Sequence, residues 1–179
     1  MELTTHLPSP LGELLLSSDG LCLTGLWLPG QKYYAAGLPA GAAEATDHPV
    51  FAEAGAWLDR YFAGQRPSPK ELRLGPRGRA FRQLIWSLLL EIPYGETETY
   101  GGLAEKAARR LGLPRMSAQA VGGAVGHNPI SLIIPCHRVV GTGGSLTGYA
   151  GGVAAKRRLL LLEGADMRGL YTPSRGTAL

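Results

Sequence analysis

Long apolar runs, cysteine pairs and charge are all scarce in this 179-residue chain, and each scarcity removes a class of function. No apolar stretch approaches the roughly 18 residues that a membrane-crossing helix needs, so no membrane partner is expected. The opening residues, Met1-Glu2-Leu3-Thr4-Thr5-His6, have neither the basic start nor the apolar core of a secretory signal. The expected location is therefore cytoplasmic. Cys22 and Cys136 are the only cysteines, too few for a disulfide framework and without the CxxC spacing of a zinc ribbon or redox dithiol. In a reducing compartment both are expected as free thiols. Charged residues make up 18% of the chain and hydrophobic ones 45%, which is a globular rather than a disordered balance.

The charge that is present is unevenly placed. Residues 1–70 carry four Lys/Arg against seven Asp/Glu, whereas residues 71–179 carry fourteen against seven. A basic second half suits contact with a polyanion, although a plain solvated surface would read the same way. The charge change coincides with a stretch of linker composition, Gly64-Gln65-Arg66-Pro67-Ser68-Pro69-Lys70 and Gly75-Pro76-Arg77-Gly78-Arg79. Two domains are expected, residues 1–75 and 76–179.

In the first half, two leucine-rich runs, Leu14-Leu15-Leu16 and Leu21 to Leu28, flank Asp19-Gly20 and predict a β-hairpin. Cys22 alternates with Leu21 and Leu23, as a packed small hydrophobe would. Residues 29–49 show no period and read as a loop. A helix is predicted from Phe51 to Phe62, with Trp57, Leu58, Tyr61 and Phe62 on its apolar face and Gly64 as its stop.

The second half reads as mostly helical. Phe81, Leu84, Ile85, Leu88 and Leu89 keep helical spacing until Pro93-Tyr94-Gly95. Thr99 to Leu111 forms a second helix, stopped by Gly112 and Pro114. A third is capped by Ser117 and runs from Ala118 to Gly126. Helix, short turn, helix is the arrangement of a helix-turn-helix, which many small helical domains contain by chance. Gly122-Gly123 sits inside the third helix, where each glycine costs about 1 kcal/mol against alanine. Either another helix or a nucleic-acid backbone comes close there. A last helix runs from Val153 to Leu162.

The run Asn128-Pro129-Ile130-Ser131-Leu132-Ile133-Ile134-Pro135-Cys136-His137-Arg138-Val139-Val140 is the most informative stretch. Its apolar flanks put Cys136 at a buried position, and burial raises a thiol pKa because the thiolate loses hydration. A reactive cysteine there needs a base or cation close by, and His137 and Arg138 are adjacent. A Cys-His pair alone does not separate a nucleophile from a structural thiol. Glu163, after four leucines, is equally open between an ordinary helix end and a buried partner for a histidine. The loop Gly141 to Gly152 lacks the Gly-Lys-Ser/Thr ending of a phosphate loop, so nucleotide binding is not expected.

Asn128-Pro129, then Pro135-Cys136-His137-Arg138-Val139-Val140, resembles the active-site signature of the O6-alkylguanine-DNA alkyltransferase family, the methylated-DNA–protein-cysteine methyltransferases. Phe81-Arg82-Gln83, Tyr94-Gly95-Glu96, Thr99-Tyr100, Ala120-Val121-Gly122-Gly123-Ala124, Gly148-Tyr149 and Leu162-Glu163-Gly164 resemble further family blocks in the family's order. Ser9-Pro10-Leu11-Gly12 and Tyr61-Phe62-Ala63-Gly64 resemble its N-terminal domain, so the resemblance spans nearly the whole chain.

The resemblance implies an α+β protein: a small ribonuclease-H-like α/β domain, then a helical domain whose helix-turn-helix enters the minor groove. It implies direct, single-turnover repair of O6-methylguanine in double-stranded DNA by a monomer without cofactor. Whether O4-methylthymine is a second substrate is left open by the sequence. The base must be flipped out, since a stacked guanine hides its O6 substituent from a protein sulfur. By position, Cys136 is the methyl acceptor. Glu163 orients His137, which takes the thiol proton through water, and Asn128 braces the turn and the histidine. Tyr100 donates to the departing guanine, Tyr149 walls the pocket, Lys156 supports it, and the backbone at Val139 reads the base edge. Ser117, Ala120, Gly122, Gly123, Arg115 and Arg138 fall among the DNA-facing positions. Gln119 stands where the family usually offers the arginine that fills the gap left by the flipped base. It can fill the gap but adds no charge, and Arg115 is expected to compensate through a phosphate. Cys22 and His6 lack companions at ligand spacing, so no metal is expected. Three other functions share parts of this pattern: an alkyltransferase-like lesion binder without an acceptor cysteine, a helix-turn-helix regulator and a cysteine hydrolase.

Overall fold

Leu3–Leu7 (β1), Leu14–Ser18 (β2) and Leu23–Trp27 (β3) form an antiparallel meander in a computed structural model that describes residues 1–174. The predicted hairpin is β2–β3. The Asp19 carboxylate accepts from the amides of Leu21 and Cys22 at 2.9 and 2.8 Å, and Gly20 takes a φ of 96°. Cys22 consequently sits in the turn, half-buried, and not within the strand as its alternation with the leucines suggested. Every residue of β2 and β3 is buried, so their hydroxyls need partners, and Ser17 Oγ meets Thr24 Oγ1 at 2.8 Å. A two-residue strand, Ala43–Glu44 (β4), pairs in parallel with β1. It interrupts the stretch 29–49 read as loop, and the sheet order is β3-β2-β1-β4.

Helix α1, Pro49–Phe62, is entered through His48, whose ring accepts from the Val50 amide at 3.3 Å, and by a proline in its first turn. It buries Val50, Phe51, Ala54, Trp57, Leu58 and Tyr61, while Phe62 is only half-buried. The outer edge of β3 is covered by two short segments. Leu23 pairs with Arg73 and Gly75, and Leu26 donates to Pro129 O at 2.8 Å while accepting from Ser131 N at 2.9 Å. The first compact unit is therefore Met1–Arg77 together with Pro129–Ile133. A division by composition alone has no way to foresee that return of the chain.

The second unit comprises Gly78–Asn128 and the chain from Ile134 on. Helices α2 (Ala80–Leu89), α3 (Tyr100–Leu111) and α4 (Ala118–Gly126) pack on one another. Trp86 Nε1 donates to Ala124 O at 2.9 Å and ties α2 to α4. Thr99 caps α3, Gly112 ends it with a φ of 65°, and Ser117 caps α4. Two short strands, β5 (Glu98–Thr99) and β6 (Val139–Val140), pair in parallel, and α5 (Val153–Leu162) follows the glycine-rich loop. The architecture is α+β, with the sheet in the first unit and the helices concentrated in the second. Among the described residues no helix is long and apolar enough to cross a membrane.

Candidate active site

Pro135 leads into a single 3-10 turn, Cys136–Arg138, whose three polar side chains are all buried, with exposures of 3%, 0% and 7%. Burying such a triplet is costly unless each group is bonded. Asn128 Nδ2 supplies the first bonds, to Ile134 O at 2.8 Å and to Cys136 Sγ at 3.1 Å. Asn128 thus braces the turn and also reaches the sulfur itself. Burial pushes the Cys136 thiol up from its ordinary value, while the Asn128 hydrogen bond and the Lys156 charge pull it back.

Glu163, at the C-terminal end of α5, collects the other two members of the triplet. Its Oε1 lies 2.7 Å from His137 Nε2, and Arg138 grips both carboxylate oxygens, Nε to Oε2 at 2.8 Å and Nη2 to Oε1 at 3.0 Å. The Gly95 amide adds a bond to Oε2 at 3.2 Å. Gly95 has a φ of 78°, and a Cβ there would lie 2.7 Å from Glu163 O, so only glycine fits this approach. Burial opposes the charge on Glu163, yet bonds to His137 and Arg138 hold its carboxyl far below the usual carboxylate range. Burial also lowers His137, against the pull of Glu163 and with help from the Arg138 and Lys156 charges. An ionised carboxylate only accepts, which assigns the proton of a neutral His137 to Nε2 and leaves Nδ1 as the basic atom.

Arg138 is a correction to the sequence reading. It does not face outward as a DNA contact. Its Nη1 donates to Ile92 O at 2.7 Å and its guanidinium lies 5.6 Å from the Tyr94 ring centroid. A buried guanidinium cannot be left without a counter-charge, so Glu163 draws it inward. The fold brings Ile92, Tyr94 and Gly95 to the site, whereas in sequence Tyr94 and Gly95 read as a helix stop and part of a family block, with no role of their own.

Lys156 is fully buried on α5. Its ammonium donates to Val139 O and to Thr147 O, the latter at 2.9 Å. Desolvation brings its pKa down to about 8, with the Cys136 charge acting the other way. Tyr100, the first residue of α3, donates its hydroxyl to Gly148 O at 2.8 Å. Gly148 has a φ of 77°, and any side chain there would run into the Tyr100 hydroxyl. Tyr149 is buried and meets His137 edge-on, with ring centroids 6.4 Å apart at 75°. Cys136, His137, Glu163, Asn128, Tyr100, Tyr149, Val139 and Lys156 therefore share one neighbourhood of the second unit.

The remaining candidates lie on the outside of α4 and the turn before it. Arg115, Ser117, Gln119 and Ala120 are exposed, and Ser117 Oγ accepts from the Ala120 amide at 3.3 Å. Neither glycine of the pair is tightly packed. Gly122 backs onto Tyr100, where a Cβ would lie 3.7 Å from the ring, while a Cβ at Gly123 would meet nothing within 4 Å. A 3.7 Å approach is ordinary van der Waals contact, so packing within the chain requires glycine at neither position. Among the described residues no group of three His, Cys, Asp or Glu side chains is arranged to hold a metal ion.

Residues 3–75 match the family model for the 6-O-methylguanine DNA methyltransferase ribonuclease-like domain, and residues 80–165 match that for the DNA binding domain. A methylated-DNA–protein-cysteine methyltransferase of Haemophilus influenzae is 45% identical over 165 residues, covering 89% of this chain and 84% of the relative. One from Mycobacterium bovis is 44% identical over 155 residues, covering 87% and 88%. Among solved structures, Mycobacterium tuberculosis OGT in complex with DNA superposes with a TM-score of 0.74 at 41% identity, covering 91% of this chain and 92% of that one. The Mycobacterium tuberculosis O6-methylguanine methyltransferase gives 0.76 at 41% identity, covering 94% and 98%. With both halves matched in order, and with the cysteine site lying inside the second match, the chain belongs to the 6-O-methylguanine DNA methyltransferase family of DNA repair proteins.

Proposed function

We propose that this protein repairs O6-methylguanine in double-stranded DNA by moving the methyl group onto Cys136 Sγ, once per molecule. The observation that carries the reading is the buried grouping of Cys136 with Asn128, beside a His137 held by Glu163 at 2.7 Å. His137 Nδ1, acting through a water, takes the thiol proton. The sulfur then attacks the methyl carbon, a C–S bond forms as the C–O6 bond breaks, and the electron pair leaves on the guanine. Guanine is a poor leaving group unless its developing charge is met by a donor. Tyr100 is the donor in this proposal. Its hydroxyl must exchange Gly148 O for the base, so base entry and leaving-group stabilisation are linked. Lys156 offsets charge at the sulfur, Tyr149 walls the base pocket, and the backbone at Val139 reads the guanine edge. The thioether has no route back, which makes the reaction stoichiometric.

The base must leave the stack before this chemistry begins. The exposed face of α4 supports entry through the minor groove. Gln119 fills the vacated space, Arg115 contacts phosphate, and Ser117, Ala120 and Gly123 allow the groove edge close to the helix. In this proposal the protein acts as a monomer. The test is intact mass after mixing with duplex DNA carrying one O6-methylguanine. A gain of one methylene equivalent, mapped to Cys136 and absent in Cys136→Ala, is expected. A protein that binds the lesion and gains no mass would instead be a lesion-recognition module.

A further inference from the structure

Residues 166–171 lie beyond the part of the chain that the family model matches, which ends at residue 165, yet they are bonded to the glycine-rich loop. After α5, Gly164 turns the chain with a φ of 70°, and Ala165 N donates back to Leu160 O at 3.0 Å. A tight turn follows, in which Arg168 bonds to Asp166 and Leu170 N donates to Met167 O at 3.1 Å. The chain then runs beside the glycine-rich loop. Tyr171 N donates to Gly144 O at 3.0 Å and Leu146 N donates to Tyr171 O at 2.9 Å. Gly144, with a φ of 90°, lies so close to the Gly169 carbonyl that no side chain could stand there. Beneath this seam Val140, Leu146, Leu160 and Ala165 form a small apolar cluster that Met167 and Leu170 help to close.

The same loop carries Tyr149. Just past the seam, Thr147 O is held by Lys156 and Gly148 O by Tyr100. The position of Tyr149 is thus fixed from two sides: by the site through residues 147 and 148, and by the C-terminal segment through residues 144 and 146. We propose that Met167–Tyr171 is a strap that positions the Tyr149 wall and thereby limits the size of alkyl group that Cys136 accepts. The strap acts through the loop and not on the sulfur itself. This deepens the proposed function and rests on it, because it takes Tyr149 as the wall of the base pocket. Loosening the strap frees Leu146 and lets the wall retreat. A methyl group gains nothing from the extra room and loses a well-placed wall, whereas a bulky substituent gains entry.

The experiment compares the parent protein, a chain ending at Arg168, Leu170→Asp and the conservative Leu170→Met. Second-order rate constants are measured for transfer from duplexes carrying O6-methylguanine and O6-benzylguanine, together with hydrogen exchange at the Leu146 amide. The truncated chain and Leu170→Asp should raise the benzyl-to-methyl rate ratio at least about tenfold, within the range that pocket size alone commands. Both should speed exchange at Leu146 while leaving α4 protected, and Leu170→Met should keep the parent ratio. The strap is overturned if Leu146 exchanges faster while the ratio stays at the parent value or both rates fall together. It is equally overturned if Leu146 exchange does not change. Should the shortened chain fail to fold, Leu170→Asp carries the same readouts. Absence of any alkyl adduct on the parent protein would strike the proposed function itself, a separate result.

Discussion

Arg138 and His137 share one buried carboxylate, and burial, with the Arg138 charge adding to it, keeps the imidazole neutral. With the guanidinium on both oxygens of Glu163, the imidazole receives only part of the carboxylate's field, and it stays neutral and able to accept a proton. Burial does most to lower the imidazole and the Arg138 charge adds to it; Arg138→Met removes that addition, so His137 should titrate at higher pH, as read from its ring nitrogen shifts. A titration point unchanged or lower would contradict this account. Because one partner of a buried ion pair is lost, the same variant should lose on the order of 3–5 kcal/mol in urea unfolding. None of this is legible in the chain as letters. Cys136, His137 and Glu163 stand out through the family pattern, but a side chain in a 3-10 turn follows no helical or strand period. A basic residue in a basic half therefore reads as surface until its partner is seen.

At the level of elements, the helices were the legible part. Apolar spacing, Ser117 as a cap and Gly112 as a stop locate α4 to the residue and α3 to within one, since Thr99 caps that helix instead of opening it. β4 was not legible, because two residues carry no period and it exists only by pairing with β1. The outer face of α4 lends itself to a pair of opposed measurements. Gly123 sits in open space inside a helix, so Gly123→Ala should stabilise the protein by about 0.5–1 kcal/mol. If the groove edge approaches there, the same methyl group should weaken binding to duplex DNA, and unchanged or tighter binding would remove that reading of the glycine. Gln119→Arg should raise the second-order rate of methyl transfer by adding a charged gap-filler to the exposed start of the same helix. A rate that stays level or falls would show that base extrusion does not limit this chain.

For the whole molecule, the buried titratable groups fix how stability follows pH. His137 binds its proton less readily folded than unfolded, so the unfolded chain gains protons first as pH drops below about 6.5. Glu163, depressed in the fold, contributes stability above its unfolded value of about 4.3 and loses it as pH falls through its folded value. Both act in one direction on the acid side. Urea midpoints should therefore fall steadily from about pH 7 to about pH 4, and a midpoint that rises over that range would contradict the buried, neutral His137. Lys156 acts on the other flank: between about 8 and 10.5 the fold has released a proton that the unfolded chain still holds, so its contribution grows with pH there.

The sheet of the first unit is completed by Pro129 and Ser131, which bond to Leu26 of β3 from about a hundred residues further along. On a ribosome adding about 5–20 residues per second, β3 emerges several seconds before the residues that cover its edge. During that interval the nascent chain carries an unpaired strand edge, open to pairing with a neighbour. Completion of the N-terminal sheet thus waits for the stretch that immediately precedes Cys136, and synthesis delivers the sheet's last strand partner and the acceptor thiol almost together.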